Sequence, residues 1–299
     1  MLRIEDLAEL VELHRSEAAA RVREFSIGDK FFAFNAKPAV MGVVNLSVDS
    51  WYRESVCPTF ETAVARGRLL AAQGADIIDL GAESTLAHAQ RVDGPAQQSK
   101  LLPVIKSLSA DGLLVSAETY DAGVVRACLE AGARVVNLTG TVEGAEIFPM
   151  AAAHGAAVIL CFVAGRNVRD VEDFNLEGDV IGRMKDYFSR RIEEAQRAGV
   201  EKIFIDPGLG FYYRNLQDSA ARVRHQMSIF LNSFRLRSLG FPVCQALPHA
   251  FEYFGEEVRS AEPFFAVLAA LGKTDLFRTH EVPKIRAVLE TLSVYGSKA

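Results

Sequence analysis

The sequence lacks the features of several protein classes. Its four cysteines, Cys57, Cys128, Cys161 and Cys244, include no C-x-x-C pair, so they predict neither a disulfide framework nor a zinc cluster and favour a reducing compartment, the cytoplasm. No apolar run is long enough to span a membrane, and residues 1–25 are acid-rich and amphipathic, unlike a secretory signal. The formal net charge of -5 argues against a general nucleic-acid binder.

The chain does have an ordinary globular composition and a repeating pattern of apolar runs. It contains 299 residues, 49% of them hydrophobic, which is enough to bury a large core. Eight runs are continuous rather than alternating, and this pattern predicts parallel strands buried on both faces, with helix-like segments between them. The runs lie at 39–46, 76–82, 113–119, 133–139, 156–162, 202–208, 242–247 and 276–282.

Eight β–α repeats predict a single (β/α)8 TIM barrel. The main alternative is a doubly wound α/β sheet, which usually carries a glycine-rich dinucleotide loop after an early strand, and the sequence has no such loop. No linker or low-complexity tract interrupts the pattern. The predicted organisation is an N-terminal helical extension over residues 1–30 and a barrel domain over residues 31–299.

Polar side chains follow the apolar runs at the predicted carboxyl ends of the strands, where barrel enzymes build their sites. Some of them have simpler explanations. Asp206 precedes Pro-Gly and could form a turn, and Asn137 and Glu118 could be satisfied buried polar groups. Arg278 and His280 could be a surface ion pair. The candidate site residues are Asn45, Asp49, Ser84, Thr85, Glu118, Asn137, Asp206, Gln245, Arg278 and His280.

Taken together, these side chains indicate a flat heterocycle and an anion as ligands. A carboxylate such as Asp206 can accept two parallel N–H bonds from a cyclic guanidine-like edge. The amide of Asn137 both donates and accepts, so it can match a neighbouring edge of the same ring. Arg278 and His280 suit an anion.

The residues that carry these side chains resemble the motifs of the dihydropteroate synthase family of pterin-binding barrels. The segments "VMGVVNLSVDSW" and "GADIIDLGAEST" resemble the motifs of that family's first and second strands. The segment "IDPGLGF" is similar to its D-P-G-I-G-F motif, and "RTHEV" is similar to its terminal R-V-H-D-V. The four motifs follow the family's order from Pro38 to Val282, nearly the whole predicted barrel.

The resemblance implies a reduced pterin or folate as the ligand, deep in the barrel. Asp206 would bind its 2-amino and ring N–H edge, with Asn137 beside it. Asn45 matches the family's position for Mg²⁺ and diphosphate, and Arg278 and His280 match its diphosphate-binding pair. Further roles are implied for Asp49 in catalysis, for Glu118 and Gln245 in substrate binding, and for Ser84 and Thr85 in a loop that faces p-aminobenzoate.

The sequence also departs from the family's pattern. Glu118 stands where the family ends its third strand in Asp, and Leu86 stands where its second loop carries an arginine. The family's S-R-K triplet after the seventh strand is replaced by Pro248, His249 and Ala250. Two cationic groups are therefore missing. His249, a donor in the same loop as Ala250, is either a partial replacement in catalysis or a solvated loop histidine.

Three functions fit this combination. The first is a transferase that joins a pterin methylene to an amine with diphosphate leaving, although ordinary p-aminobenzoate condensation is expected to be very low. The second is a folate-dependent one-carbon enzyme of the methyltetrahydrofolate type, and the third is a non-catalytic pterin-binding partner. By analogy with the family we also expect a homodimer, packed through the apolar segment "FFAVLAALG".

Overall fold

The computed structural model describes residues 1–47, 49–50, 52, 55–84, 89–141, 143–211, 213–247 and 250–296. Two short helices come first, α1 (Ile4–Leu13) and α2 (Arg15–Ala18). They are followed by an antiparallel hairpin of β1 (Phe25–Ile27) and β2 (Lys30–Phe32). The first part of the predicted extension is therefore helical, whereas the part that approaches residue 30 is a hairpin.

The hairpin closes the amino-terminal end of the barrel. Ile27 and Phe32 are buried in one apolar cluster with Phe34 and Phe204. The ring centroids of Phe34 and Phe204 lie 5.4 Å apart in an edge-to-face contact, an arrangement that aromatic pairs favour.

Eight parallel strands form the barrel, which confirms the predicted fold. The strands are β3 (Ala39–Asn45), β4 (Ile77–Gly81), β5 (Val115–Thr119), β6 (Val135–Leu138), β7 (Ala157–Cys161), β10 (Ile203–Asp206), β11 (Cys244–Ala246) and β12 (Leu276–Thr279). Their spatial order is β10-β7-β6-β5-β4-β3-β12-β11, and a parallel bridge between Ile205 and Val243 joins the two ends of the sheet.

Helices surround the strands, and their starts follow from the sequence. Thr59, Asp93, Asp121 and Asp218 each accept a hydrogen bond from a backbone N–H in the first turn of the next helix, which stabilises a helix by about 1 kcal/mol. A small hairpin, β8 (Gly165–Asn167) with β9 (Asp170–Val171), follows β7. The helices are α3 (Phe60–Ala72), α4 (Gly94–Ala110), α5 (Ala122–Glu130), α6 (Gly144–Ala153), α7 (Val180–Arg197), α8 (Ser219–Asn232), α9 (Phe251–Phe254), α10 (Ala261–Leu271) and α11 (Val282–Gly296).

Alternation along the strands separates two layers of side chains. On β4, Ile77 belongs to the apolar cluster inside the barrel, whereas Ile78 and Leu80 belong to the layer that packs against the helices. Asp79 therefore points inward, because successive side chains of a strand face opposite sides. The interior is apolar near the hairpin and polar near the carboxyl ends of the strands, so the fold itself places the polar candidates together.

None of the helices in the described ranges is long and apolar enough to cross a membrane.

Asp275, just before β12, is a buried acid that lies outside the polar end of the barrel. It predicts how the free energy of unfolding depends on pH. Burial raises the pKa of Asp275 to about 7, although Arg237, which forms an ion pair with it at 3.3 Å, acts in the opposite direction. A carboxyl whose pKa is raised on folding stabilises the folded state below its unfolded pKa, and this contribution is lost as the pH rises through the folded pKa.

We therefore expect Asp275→Asn to remove this contribution to the pH dependence of the free energy of unfolding. Between about pH 5 and about pH 7, the free energy of unfolding of the parent should fall by about 2 kcal/mol relative to that of the variant. Urea unfolding of both proteins at each pH measures the difference. A difference that does not change with pH would contradict the assignment.

Candidate functional site

A cavity opens at the carboxyl ends of the barrel strands, and most of the predicted residues line it. It lies where barrel enzymes place their sites. The described candidates in its wall are Asn45, Ser84, Glu118, Asn137, Asp206, Arg278 and His280.

Asp79 is a polar group beside this cavity that the sequence analysis did not select. Its side chain is fully buried. Oδ2 accepts hydrogen bonds from Nε of Arg278 at 2.7 Å and from Nδ2 of Asn137 at 3.2 Å, while Oδ1 accepts one from the hydroxyl of Ser116 at 2.6 Å. Asp79 thus links β4 to three other strands of the barrel and fixes the orientation of the Asn137 amide. An acid inside the apolar run "IIDLG" was the signal that could have revealed it, because a buried carboxylate requires partners.

Arg278 points into the barrel. A second guanidinium nitrogen, Nη2, donates to Oε2 of Glu118, so the cation bonds two carboxylates. The additional methylene of glutamate gives residue 118 the reach for this contact. Burial alone would lower the pKa of Arg278, but Glu118 and Asp79 raise it, so the guanidinium stays charged.

Two carboxyl groups near this cation, Glu118 and Asp206, have altered acidity. Burial raises the pKa of Glu118 to about 7, against the opposing effect of Arg278. Burial likewise raises the pKa of Asp206 to about 6, although the N–H of Gly208 and the charge of Arg278 act in the opposite direction. The site can therefore take up or release protons near neutral pH when a ligand that donates N–H bonds enters.

Asp206 both stabilises a turn and faces the cavity. Its Oδ1 accepts a hydrogen bond from the N–H of Gly208 at 2.7 Å, as expected for an acid before Pro-Gly. Gly208 has φ +74°, and a Cβ there would lie 2.2 Å from the carbonyl oxygen of Phe162, so only glycine fits. The carboxylate is nevertheless among the groups that line the cavity, which means that the two sequence interpretations are compatible.

Asn45 lies at the end of β3 beside two hydroxyl groups. Its Nδ2 donates to Oγ of Ser50 at 3.0 Å and to Oγ of Ser55 at 2.5 Å. This orientation turns the amide oxygen away from both hydroxyls. Among the described residues, no group of three His, Cys, Asp or Glu side chains is arranged to hold a metal ion. The amide oxygen of Asn45 is a hard oxygen atom, the kind of ligand that Mg²⁺ prefers.

Asp49 and Ser84 belong to two loops that meet at the rim. The Ser84 hydroxyl donates to the backbone oxygen of Asp49 at 3.3 Å, and Oδ2 of Asp49 accepts from the backbone N–H of Gln90 at 3.3 Å. Arg169, between β8 and β9, donates to the carbonyl oxygens of Ser84 at 2.8 Å and Ala89 at 2.5 Å. A cation from a different loop thus contacts Ser84 and Ala89 in the segment that follows β4. Sequence patterns could not predict this contact, because Arg169 and Ser84 are distant along the chain.

Two of the predicted site residues, Thr85 and His249, lie outside the described residues. Another predicted site residue, Gln245, is described but faces away from the cavity, because side chains alternate between the two faces along β11. Cys244 belongs to the interior cluster and Ala246 lines the cavity, so Gln245 between them faces the outer layer. It is fully buried, and neither amide atom has a hydrogen-bond partner among the described residues.

His280 lies at the rim, next to β12, and is held by a residue that the sequence analysis also missed. Nδ1 of His280 lies 2.6 Å from Oε1 of Glu262, which is fully buried on α10. The ring of Tyr52 stacks on the imidazole, with centroids 4.3 Å apart and planes inclined by 13°.

Comparison with known proteins identifies the family. A model of the family described as "Pterin binding enzyme" matches residues 41–240. The chain is 29% identical over 268 residues to the dihydropteroate synthase of Synechocystis, and the aligned region covers 86% of this chain and 89% of that protein. It is 31% identical over 267 residues to the dihydropteroate synthase of Mycobacterium leprae, with 86% and 92% covered.

Solved structures agree with this result. The dihydropteroate synthase of Xanthomonas albilineans in complex with 7,8-dihydropteroate matches with a TM-score of 0.73 at 26% identity, over 93% of this chain and 100% of that one. The family model matches well over half of the chain, and the eight-stranded barrel with a polar cavity at its carboxyl end agrees with that match. The chain therefore belongs to the pterin binding enzyme family, and the relatives compared above are dihydropteroate synthases.

Proposed function

We propose that this protein binds a reduced pterin inside the barrel and transfers its methylene carbon to an acceptor amine, with diphosphate as the leaving group. The observation that carries the proposal is that Asp206 and Asn137 both line the cavity at the carboxyl end of the barrel in a pterin binding enzyme. The relative from Xanthomonas albilineans, whose structure contains 7,8-dihydropteroate, supports the same chemistry.

Recognition of the pterin rests on matched hydrogen-bonding groups. The carboxylate of Asp206 can accept two parallel bonds from the 2-amino group and the adjacent ring N–H. Asn137 is held by Asp79 through Nδ2, and its Oδ1 lies 3.6 Å from the thiol of Cys161, so its amide is already oriented before a ligand enters. A preoriented site binds more tightly, because fewer side chains lose freedom on binding.

The leaving group would be held at the rim. Arg278 bonds two carboxylates in this structure and carries five N–H groups in all, so a guanidinium at this position can bind both a carboxylate and a phosphate oxygen. Ser50 lines the same wall, and its hydroxyl can donate to another phosphate oxygen. Asn45 would supply the protein ligand to Mg²⁺, and the ion would neutralise charge on the diphosphate when bound.

A thermal-shift comparison of a pterin diphosphate with methyltetrahydrofolate tests the proposal. We expect the midpoint of unfolding to rise with a pterin diphosphate in the presence of Mg²⁺, because a ligand that binds only the folded state stabilises it by about 2.7 kcal/mol at 100 times its dissociation constant. A larger shift with methyltetrahydrofolate would favour folate one-carbon chemistry instead. No shift with any pterin or folate would contradict the proposed function.

We also propose that the protein works in the cytoplasm as a homodimer. The four cysteines are free and buried, as is typical of a reducing compartment. On α10 the side chains of Phe264 and Leu271 are 43% and 52% exposed, and apolar surface of this kind is often covered by a partner.

Light scattering at micromolar concentration should therefore give about twice the mass of one chain, 32.7 kDa. Changing the exposed Phe264 to Asp should lower the measured mass, whereas the same change at exposed Phe31, in β2, should not. A mass of one chain for the parent protein would contradict the dimer.

A further inference from the structure

A buried carboxylate outside the barrel wall holds the rim histidine. Glu262 is the second residue of α10 and is fully buried. Its Oε1 lies 2.6 Å from Nδ1 of His280, and its Oε2 accepts the backbone N–H of His280 at 3.1 Å and the hydroxyl of Thr279. One carboxylate therefore binds the ring and the backbone of the same histidine.

Other groups restrict the imidazole further. Tyr52 covers one ring face, and its own hydroxyl donates to Glu281. Arg66 on α3 donates to the carbonyl oxygen of His280 at 3.0 Å. The ring is thus fixed in position by the loop after β3 and by α10, while its backbone is also held from α3. Rotation of the side chain would break the contact with Glu262 and the stack on Tyr52.

This arrangement selects one form of the imidazole. A carboxylate accepts but cannot donate, so the ring nitrogen that faces Glu262 must carry a proton. In the neutral imidazole the other nitrogen then bears the lone pair, and the hydrogen bond of one ring nitrogen decides the role of the other. Since His280 lines the cavity, its contact with a reacting group would be made through Nε2.

We propose that Glu262 is a positioning residue that makes His280 a proton acceptor at Nε2. The inference rests on the proposed function and goes beyond it. In the reaction, the acceptor nitrogen forms a bond to the pterin methylene carbon, and the carbon–oxygen bond to diphosphate breaks with its electron pair going to diphosphate. The proton lost by the acceptor nitrogen passes to Nε2, and Glu262 keeps its charge and pairs with the resulting imidazolium.

The test is nitrogen NMR of the ligand-free protein labelled with ¹⁵N in its six histidines. The signal of His280 is assigned from its absence in His280→Gln. In alkaline buffer, where an imidazole is neutral, we expect Nδ1 to be protonated and Nε2 to be unprotonated. A signal from the opposite tautomer, or from an equal mixture of both, would overturn the proposal. This measurement uses no Glu262 variant, so it does not depend on whether such a variant folds.

Variants of Glu262 and Thr279 then test whether Glu262 sets the tautomer of His280 or only stabilises the fold. Glu262→Met keeps a side chain of similar length without an oxygen acceptor, and it should change the ratio of the two tautomers by about tenfold to a hundredfold, the effect of one charged hydrogen bond. Glu262→Gln should change the ratio in the same direction by less. Thr279→Val removes a different donor to the same carboxylate, so it should leave the tautomer unchanged.

An unchanged ratio in the folded Glu262 variants would contradict the inference. These measurements contain no pterin, so their result is separate from that of the ligand-binding test. If no pterin binds but Nδ1 is protonated as expected, the proposed function fails while the arrangement of Glu262 and His280 stands.

Discussion

Incubation of the protein with Mg²⁺, a pterin diphosphate and p-aminobenzoate is expected to give pteroate far more slowly than about 10 per second, the median turnover of enzymes. The resemblance places Leu86 and Ala250 where the family has an arginine and a lysine. Each lost charge-assisted hydrogen bond costs about 1.5–3 kcal/mol, so two of them correspond to a decrease in rate of about 10²- to 10⁴-fold. Ala250 is buried and carries no donor in its side chain, which is consistent with this loss.

Chromatographic detection of pteroate measures the rate, with an active dihydropteroate synthase as the positive control. Leu86→Arg is the matched variant, because the resemblance places the family's arginine at this position. We expect it to increase the rate. If the unmodified chain already turned over near 10 per second, the missing cations would have been replaced, with Arg169, which reaches the same loop, and His249 the first candidates.

Asp206→Asn is expected to weaken pterin binding by about tenfold or more, the effect of one charge-assisted hydrogen bond. An amide presents only one accepting atom, so it cannot accept two parallel N–H bonds. The turn should survive, because an asparagine Oδ1 can still accept the N–H of Gly208, which lies 2.7 Å from Oδ1 of Asp206. Titration calorimetry with the pterin diphosphate measures the affinity.

The pH dependence of binding provides a second observable for the same substitution. Because the pKa of Asp206 is raised to about 6, affinity in the parent should fall as the pH drops below about 6, when the carboxylate becomes protonated. The variant should lose that dependence. Asp275→Asn, which alters a buried acid that does not line the cavity, is the control and should retain the parent's affinity. Equal affinities for the parent and Asp206→Asn would show that Asp206 does not bind the pterin.

The sequence alone determined the fold and the position of the polar end of the barrel. Continuous apolar runs predicted all eight barrel strands, because strands buried on both faces require apolar side chains along their whole length. The residues that follow those runs were predicted to share one rim, since the carboxyl ends of parallel strands meet there. Asn45, Glu118, Asn137, Asp206, Arg278 and His280 do line the same cavity.

The tertiary structure decided which of these side chains touch each other. Asp79 lies within an apolar run, and its contact with Arg278 exists only because β12 pairs with β3, the strand next to β4, when the barrel closes. Gln245 faces the outer layer because it has the opposite parity to Ala246, which lines the cavity. Glu262 reaches His280 from a helix, a contact that no strand pattern contains. Local sequence patterns are set by burial along one element, whereas these partners depend on the register between elements that are far apart in the chain.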